Sequence, residues 1–180
     1  MSSPEQVQGA LRRVRRRGVR RWGSSRAVVA VTVVIADGSP AVLLARRAGS
    51  HSGVFALPGG RTDRWESASS AGRRRLTDEL GMRLPPESVL GLLDDYITDT
   101  RLAITPVVLW GGEHCPAVDV LAVAFADLDV EPVFVASSGS DRPAIRLPLH
   151  GGWLHAPTAA VLHQFREVVL HHRRSRVAAS

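Results

Sequence analysis

Apolar and polar positions along this chain of 180 residues fall into strand-like and helix-like stretches. Val28 to Ile35 is almost wholly β-branched, as expected of a buried strand. Asp37-Gly-Ser-Pro40 supplies a turn, and Ala41–Ala45 returns as a second strand. Leu57-Pro-Gly-Gly60 breaks regular structure. Ser67 to Leu80 then forms a helix, ended by Gly81 as a left-handed cap, and Pro85-Pro86 prevents any continuation. Val89–Leu93, Ala103–Trp110 and Val118–Phe125 read as further strands, and the Gly-, Ser- and Pro-rich residues 136–152 as a loop. A second long helix runs from Pro157, a good first helical residue, to about His172. Ala160, Val161, Phe165, Val168 and Val169 make its apolar face. Strands mixed with two helices predict an α/β fold, with a mixed β-sheet between helical layers.

Composition adds boundaries to this picture. The length suits one domain with short extensions. All 23 basic residues are Arg, and the net charge of +6 is unevenly placed. Residues 1–26 carry eight Arg against Glu5, a net of +7, while Arg173, Arg174 and Arg176 add three more near the end. Residues 27–170 have 12 Arg against 16 acids, a net of −4. The chain therefore divides into a basic arm (1–26), a domain (27–172) and a basic tail (173–180). The arm is expected to be a solvated, partly helical extension. Clustered Arg also gives it a second reading, as a patch that contacts polyanions.

Cys115 is the only cysteine, which excludes an internal disulfide and fits a reducing compartment. The apolar run 27–36 follows Arg-rich residues much as a secretion signal would, but Thr32 lies inside it and a hairpin turn follows. It is also far short of the roughly 20 residues that span a bilayer. A cytoplasmic protein without membrane attachment is expected.

Candidate chemistry is concentrated between Gly60 and Met82. Gly60 is followed after five residues by Glu66, and after seven more by Arg74 and Arg75. Leu76, Thr77, Asp78, Glu79, Leu80, Gly81 and Met82 complete the run. Acids at a helix C-terminus oppose the helix macrodipole, so Asp78-Glu79 just before Gly81 is a poor arrangement for stability alone. Glu66 is placed to cap the first turn or to pair with Arg74. Gly59 and Gly60 let the preceding loop turn tightly and bring its backbone close to a ligand.

This spacing resembles the signature box of Nudix hydrolases, which cleave the diphosphate of nucleoside diphosphates linked to another group. The resemblance implies a Nudix-like α/β/α sandwich and a cluster of carboxylates that holds Mg²⁺ or Mn²⁺. Such an ion neutralises phosphate charge and polarises the attacking water. Asp78 and Glu79 are the implied metal ligands and catalytic acids, with Glu66, Arg74 and Gly81 as structural support. One position departs from the pattern: Arg75 stands where the family has a metal-binding Glu. That removes a ligand and puts a cation on the same helix face. Asp119 or Glu113, from a later loop or strand, would then assist as base, with Asp63 as a third option. Arg46, Arg47 and Arg61 are the candidates for phosphate contacts through bidentate hydrogen bonds, together with the backbone at Gly59 and Gly60.

Further segments are similar to the coenzyme A diphosphatases of the family. These are His51-Ser-Gly53 before Pro58-Gly-Gly60, Leu92-Leu-Asp-Asp-Tyr96 with Ile104-Thr-Pro-Val-Val108, and Trp153 followed by Thr158-Ala-Ala. They make a CoA-like compound the first substrate expected. The expected function is metal-dependent hydrolysis of the diphosphate in a nucleoside diphosphate derivative, by a protein that can pair as a homodimer. The rival expectation is a catalytically impaired Nudix fold that binds a nucleotide without cutting it. Nucleic-acid binding through the Arg arm is the third.

Overall fold

The computed structural model describes residues 3–18, 26–47, 54–113, 119–149 and 151–172. It begins with helix α1 (Pro4–Arg13), followed by the hairpin β1 (Arg26–Ala36) and β2 (Ser39–Arg46). Two short strands, β3 (Phe55–Ala56) and β4 (Gly59–Arg61), lead into helix α2 (Ala68–Leu80). Next come β5 (Val89–Leu92), β6 (Tyr96–Ile97), β7 (Ala103–Glu113) and β8 (Val120–Ala124), then the one-turn helix α3 (Phe125–Leu128). The chain closes with β9 (Val133–Val135), β10 (Ala144–Leu149), β11 (Gly152–His155) and helix α4 (Thr158–Phe165), which continues as a π-turn over Arg166–Leu170.

β1 is the centre of the main sheet. It pairs antiparallel with β2, parallel with β7, and through its first residues antiparallel with β4. The strand order β3-β2-β1-β7-β5 is extended by β8 beside β2 and β6 beside β7, while β9, β10 and β11 form a separate small sheet. Alternation along β1 separates two layers. Val28 and Ala30 pack with Ala71 and Leu76 of α2 on one face. Val29, Val31 and Val33 share the core of the other face with Val161, Leu162 and Phe165 of α4, and with Val7 and Leu11 of α1. Both faces of β1 are covered, which is why its sequence is continuously apolar. The expected mixed sheet between helical layers is therefore present.

The predicted Asp37–Pro40 turn closes the β1–β2 hairpin, with Asp37 and Gly38 both at positive φ. α2 starts after Ser67, whose hydroxyl accepts from the Ser70 N–H, and ends at Gly81 with φ 67°. Several expectations need correction. The N-terminal segment is not a solvated arm over its described residues. Ser3 and Gln6 form a capping box, and Val7, Ala10 and Leu11 of α1 are buried. Arg16 bridges to Asp95 at 2.6 Å and donates to the Leu93 carbonyl at 3.0 Å, and the Arg17 N–H donates to Asp94. The basic tail 173–180 lies outside the described residues.

Strand β10 occupies part of the expected loop 136–152, because Ile145 and Leu147 alternate inward between Gly/Pro-rich flanks. Leu57 and Pro58 do break regular structure, but Gly59 and Gly60 enter β4, opposite Val29 and Val28. The strand expected to reach Phe125 stops at Ala124, and Phe125 starts a helical turn whose ring packs edge-on to Phe165, with centroids 5.4 Å apart.

Candidate functional site

The Gly60–Met82 run folds into β4, a polar loop and α2, and two clamps hold these together. In the first, Arg74 makes a bidentate pair with Glu66: Nε donates to Oε1 and Nη2 to Oε2, both at 2.8 Å. Glu66 also accepts from the Asp63 N–H at 2.9 Å. These donors, Arg74 first, hold the Glu66 carboxyl down at a pKa of about 2. Asp63 and Asp78 flank the same guanidinium at 3.6 and 3.7 Å. In the second clamp, the Gly59 N–H donates to Glu79 Oε1 at 2.8 Å. A side chain at Gly59 would strike the Val28 carbonyl and Val29, so only Gly permits this approach to β1.

Arg75 lies between these clamps. Its Nη2 donates to the Arg61 carbonyl at 2.8 Å. Its guanidinium covers Gly60 so closely that a Cβ there would sit 2.5 Å from Cζ. Its Nε is buried without a hydrogen-bond partner. Among the described residues no carboxylate within 4.0 Å forms an ion pair with Arg75. The guanidinium thus fills the space between α2 and β4, on the face where a third acid was expected by resemblance.

The remaining candidates divide by position. Arg46 ends β2 beside β3 and Arg47 follows it, both exposed. Arg46 stacks on Phe55, with Cζ 5.3 Å from the ring centroid, and faces Asp119 at 3.6 Å. Asp119 is held there by its backbone, whose carbonyl accepts from the Arg46 N–H at 3.1 Å. Arg61 is exposed on β4. Glu113 does not join them. It lies opposite Ile35 while Gly59 lies opposite Val29, and the six residue steps of β1 between those positions span about 20 Å.

Two contacts went unread in the sequence. The Thr158 hydroxyl, at the start of α4, accepts from the buried Leu57 N–H at 3.1 Å and so fixes the entry to Gly59 and Gly60 of β4. Nothing local marks that contact. Trp65 is 91% exposed at φ 70°, with Arg64 over its ring at 5.3 Å. An aromatic residue within a polar loop was the available signal. His51-Ser-Gly53 lies outside the described residues. Asp94 and Asp95, the acids of the CoA-like segment, are buried and engaged by the N-terminal segment and Thr105.

The chemistry of this face does not suit a three-carboxylate metal centre. Among the described residues, no group of three or more His, Cys, Asp or Glu side chains converges to hold an ion. Asp78 and Glu79 are exposed neighbours, and neither Asp119 nor Glu113 completes a set with them. Arg75, which reaches from the same helix to Gly60 and the Arg61 carbonyl, adds a cation to this face.

Comparison with known proteins agrees with this architecture. The family model described as the NUDIX domain matches residues 26–139, well over half of the chain. The crystal structure of a Nudix hydrolase from M. smegmatis, RenU, superposes with a TM-score of 0.52 at 23% identity, over 85% of this chain and 91% of that one. A MutT/nudix family protein from Enterococcus faecalis gives 0.49 at 21% identity, over 76% and 53% of the two chains. A comparison with curated protein sequences finds no match. The matched span runs from the first residue of β1 through the Glu66–Arg74 clamp and α2 to the loop beyond β9, and the chain belongs to the NUDIX domain family.

Proposed function

We propose that this chain recognises a nucleoside diphosphate derivative at the face formed by the Gly59–Gly60 loop and α2, with hydrolysis of the diphosphate secondary to binding. The observation that carries this reading is Arg75, whose guanidinium lies on Gly60 where the family pattern has an acid. Arg46, Arg47 and Arg61 would contact phosphate oxygens, with the backbone at Gly59 and Gly60. Glu66, Arg74 and Gly81 hold α2 in place beneath them. A ligand that binds the folded state only raises its unfolding temperature with concentration. Purified protein screened against CoA, ADP-ribose and ADP should therefore show stabilisation by at least one of them without comparable turnover. A CoA-like compound comes first, on the similarity of the Leu92–Tyr96 and Ile104–Val108 segments. If none of the three stabilises the protein, binding at this face is wrong.

Metal-dependent hydrolysis is the second reading, and it has its own support. Nudix family members are hydrolases that generally use divalent ions. Asp78 and Glu79 remain adjacent and exposed, and Mg²⁺ commonly keeps several waters with only one or two protein carboxylates. Asp119 is the candidate base for this reading; Glu113 stands too far along the sheet. Release of a phosphate-containing product with Mn²⁺ or Mg²⁺, abolished by EDTA, would favour it. Polyanion contact through the exposed Arg12, Arg13 and Arg15, a homodimer and a cytoplasmic location are proposals of the same standing. Salt-dependent binding, light scattering and cell fractionation test them in turn.

A further inference from the structure

The geometry points to Arg75 as a resident cation that takes over the charge of a divalent ion, so that the diphosphate binds without metal. This rests on the reading that a nucleoside diphosphate derivative is recognised at the α2–β4 face. Three observations carry it. The guanidinium is fixed, by the Nη2 bond to the Arg61 carbonyl at 2.8 Å and by contact with Gly60, where a Cβ would lie 2.5 Å from Cζ. Among the described residues no carboxylate forms an ion pair with it, although Glu66 lies within its field, for the acids nearby are engaged elsewhere or stand apart. Glu66 is held by Arg74, Asp78 faces Arg74 at 3.7 Å, and Glu79 accepts from the Gly59 N–H. No group of three metal-ligating side chains forms among the described residues.

The charge arithmetic is consistent with a substitution of function. An acid exchanged for Arg raises the charge of the face by two units, the same as adding a divalent ion to the acid. A guanidinium differs from the ion in presenting planar N–H donors that match phosphate oxygens, and it stays charged at every pH of interest. It polarises no water molecule for attack. The same residue that secures the phosphate therefore leaves the bond uncut. Gly60 is part of the device, since any side chain there would push the guanidinium off the loop.

Isothermal calorimetry of the full chain with ADP, and separately with inorganic pyrophosphate, tests this in excess EDTA and in Mg²⁺. The expected result is binding in EDTA that Mg²⁺ changes little. Arg75→Gln, which removes the charge and shortens the side chain to an amide, should lose about tenfold or more in EDTA, the scale of one charge-assisted hydrogen bond. Arg75→Lys should lose less, and Arg142→Gln on the exposed β9–β10 loop should lose nothing. Arg75→Glu should bind only when Mg²⁺ is added. Thermal unfolding of each variant identifies any that fails to fold, and the parent's comparison of EDTA with Mg²⁺ needs no variant. Binding by the parent only with Mg²⁺, or an Arg75→Gln affinity equal to the parent's, overturns the inference alone. Absence of binding by both probes under both conditions also overturns the inference, and together with no stabilisation by CoA or ADP-ribose it overturns the reading beneath it as well.

Discussion

Arg75 and Glu66 show how single side chains set the chemistry of this face. Arg75 lies one helical turn from Asp78 and Glu79 in sequence. A unit charge and a divalent ion at ~5 Å and an effective dielectric of ~20 repel by roughly 6–7 kcal/mol. The guanidinium lowers this cost for a metal only by swinging its stem outward, which would surrender the Arg61 contact. Arg75→Glu is therefore expected to raise Mn²⁺-dependent hydrolysis of a diphosphate substrate above the parent's rate. A folded variant with no gain on any diphosphate tested would show that a residue other than Arg75 limits catalysis. Glu66 acts through structure instead. Glu66→Gln gives up one charge-assisted partner of Arg74 and should cost about 1–3 kcal/mol at pH 7 in urea unfolding. The carboxyl is held at about 2 against an ordinary 4.5, so its contribution is complete above pH 4.5 and fades as the pH falls through 2. The gap between parent and variant should close over that window; a constant gap would place the effect in packing.

α1 and β10 are the elements whose roles depend on partners distant in sequence. β1, the Asp37–Pro40 turn and α2 could be read directly, because β-branched runs, Asp-Gly and Gly caps act within a few residues. α1 carries an equally local capping box and a Val7–Leu11 stripe, but the Arg density around it reads as solvated charge. What docks it is remote: Asp94 and Asp95 receive Arg16 and Arg17, and the α4 end of the core receives Val7 and Leu11. β10 is hidden differently, since Pro143 and Pro148 mask the alternation of Ile145 and Leu147. At the candidate site, the Glu66–Arg74 pair was readable from spacing, whereas the direction taken by Arg75 and the separation of Glu113 depend on sheet register. A docked α1 makes a clear forecast. Leu11→Ala should destabilise the protein by about 2–5 kcal/mol, read from the shift in denaturation midpoint at unchanged slope. Deletion of residues 1–18 should cost more and expose core apolar surface. A deletion with unchanged stability would mean that α1 is a solvated arm after all.

Across the whole molecule, charge is organised so that acid should destabilise it over two pH windows. Arg166, buried in the π-turn after α4, is held by Asp129 at 2.9 Å, Glu131 at 2.7 Å and Glu167 at 3.2 Å. Its hydrogen bonds pull Asp129 and Glu131 below their ordinary range, with His171 assisting at Asp129. The Glu66–Arg74 clamp adds a third lowered carboxyl on the opposite layer. A depressed carboxylate pKa stabilises the fold above the unfolded-state value and loses that effect as pH falls through the folded one. Below about pH 4.5 the three therefore act together. His163 extends the effect upward. Burial lowers its imidazole from the ordinary 6.5, so the fold favours the neutral ring and loses stability as pH drops below 6.5. Urea midpoints measured from pH 8 to pH 3 should fall gently from about 6.5 and steeply from about 4.5. His163→Leu should remove the gentle limb and leave most of the steep one, because the Arg166 and Arg74 hydrogen bonds that chiefly lower the three carboxyls remain. If the variant keeps the upper limb, another group titrates there, and the half-buried imidazole contributes nothing to the pH dependence of this fold.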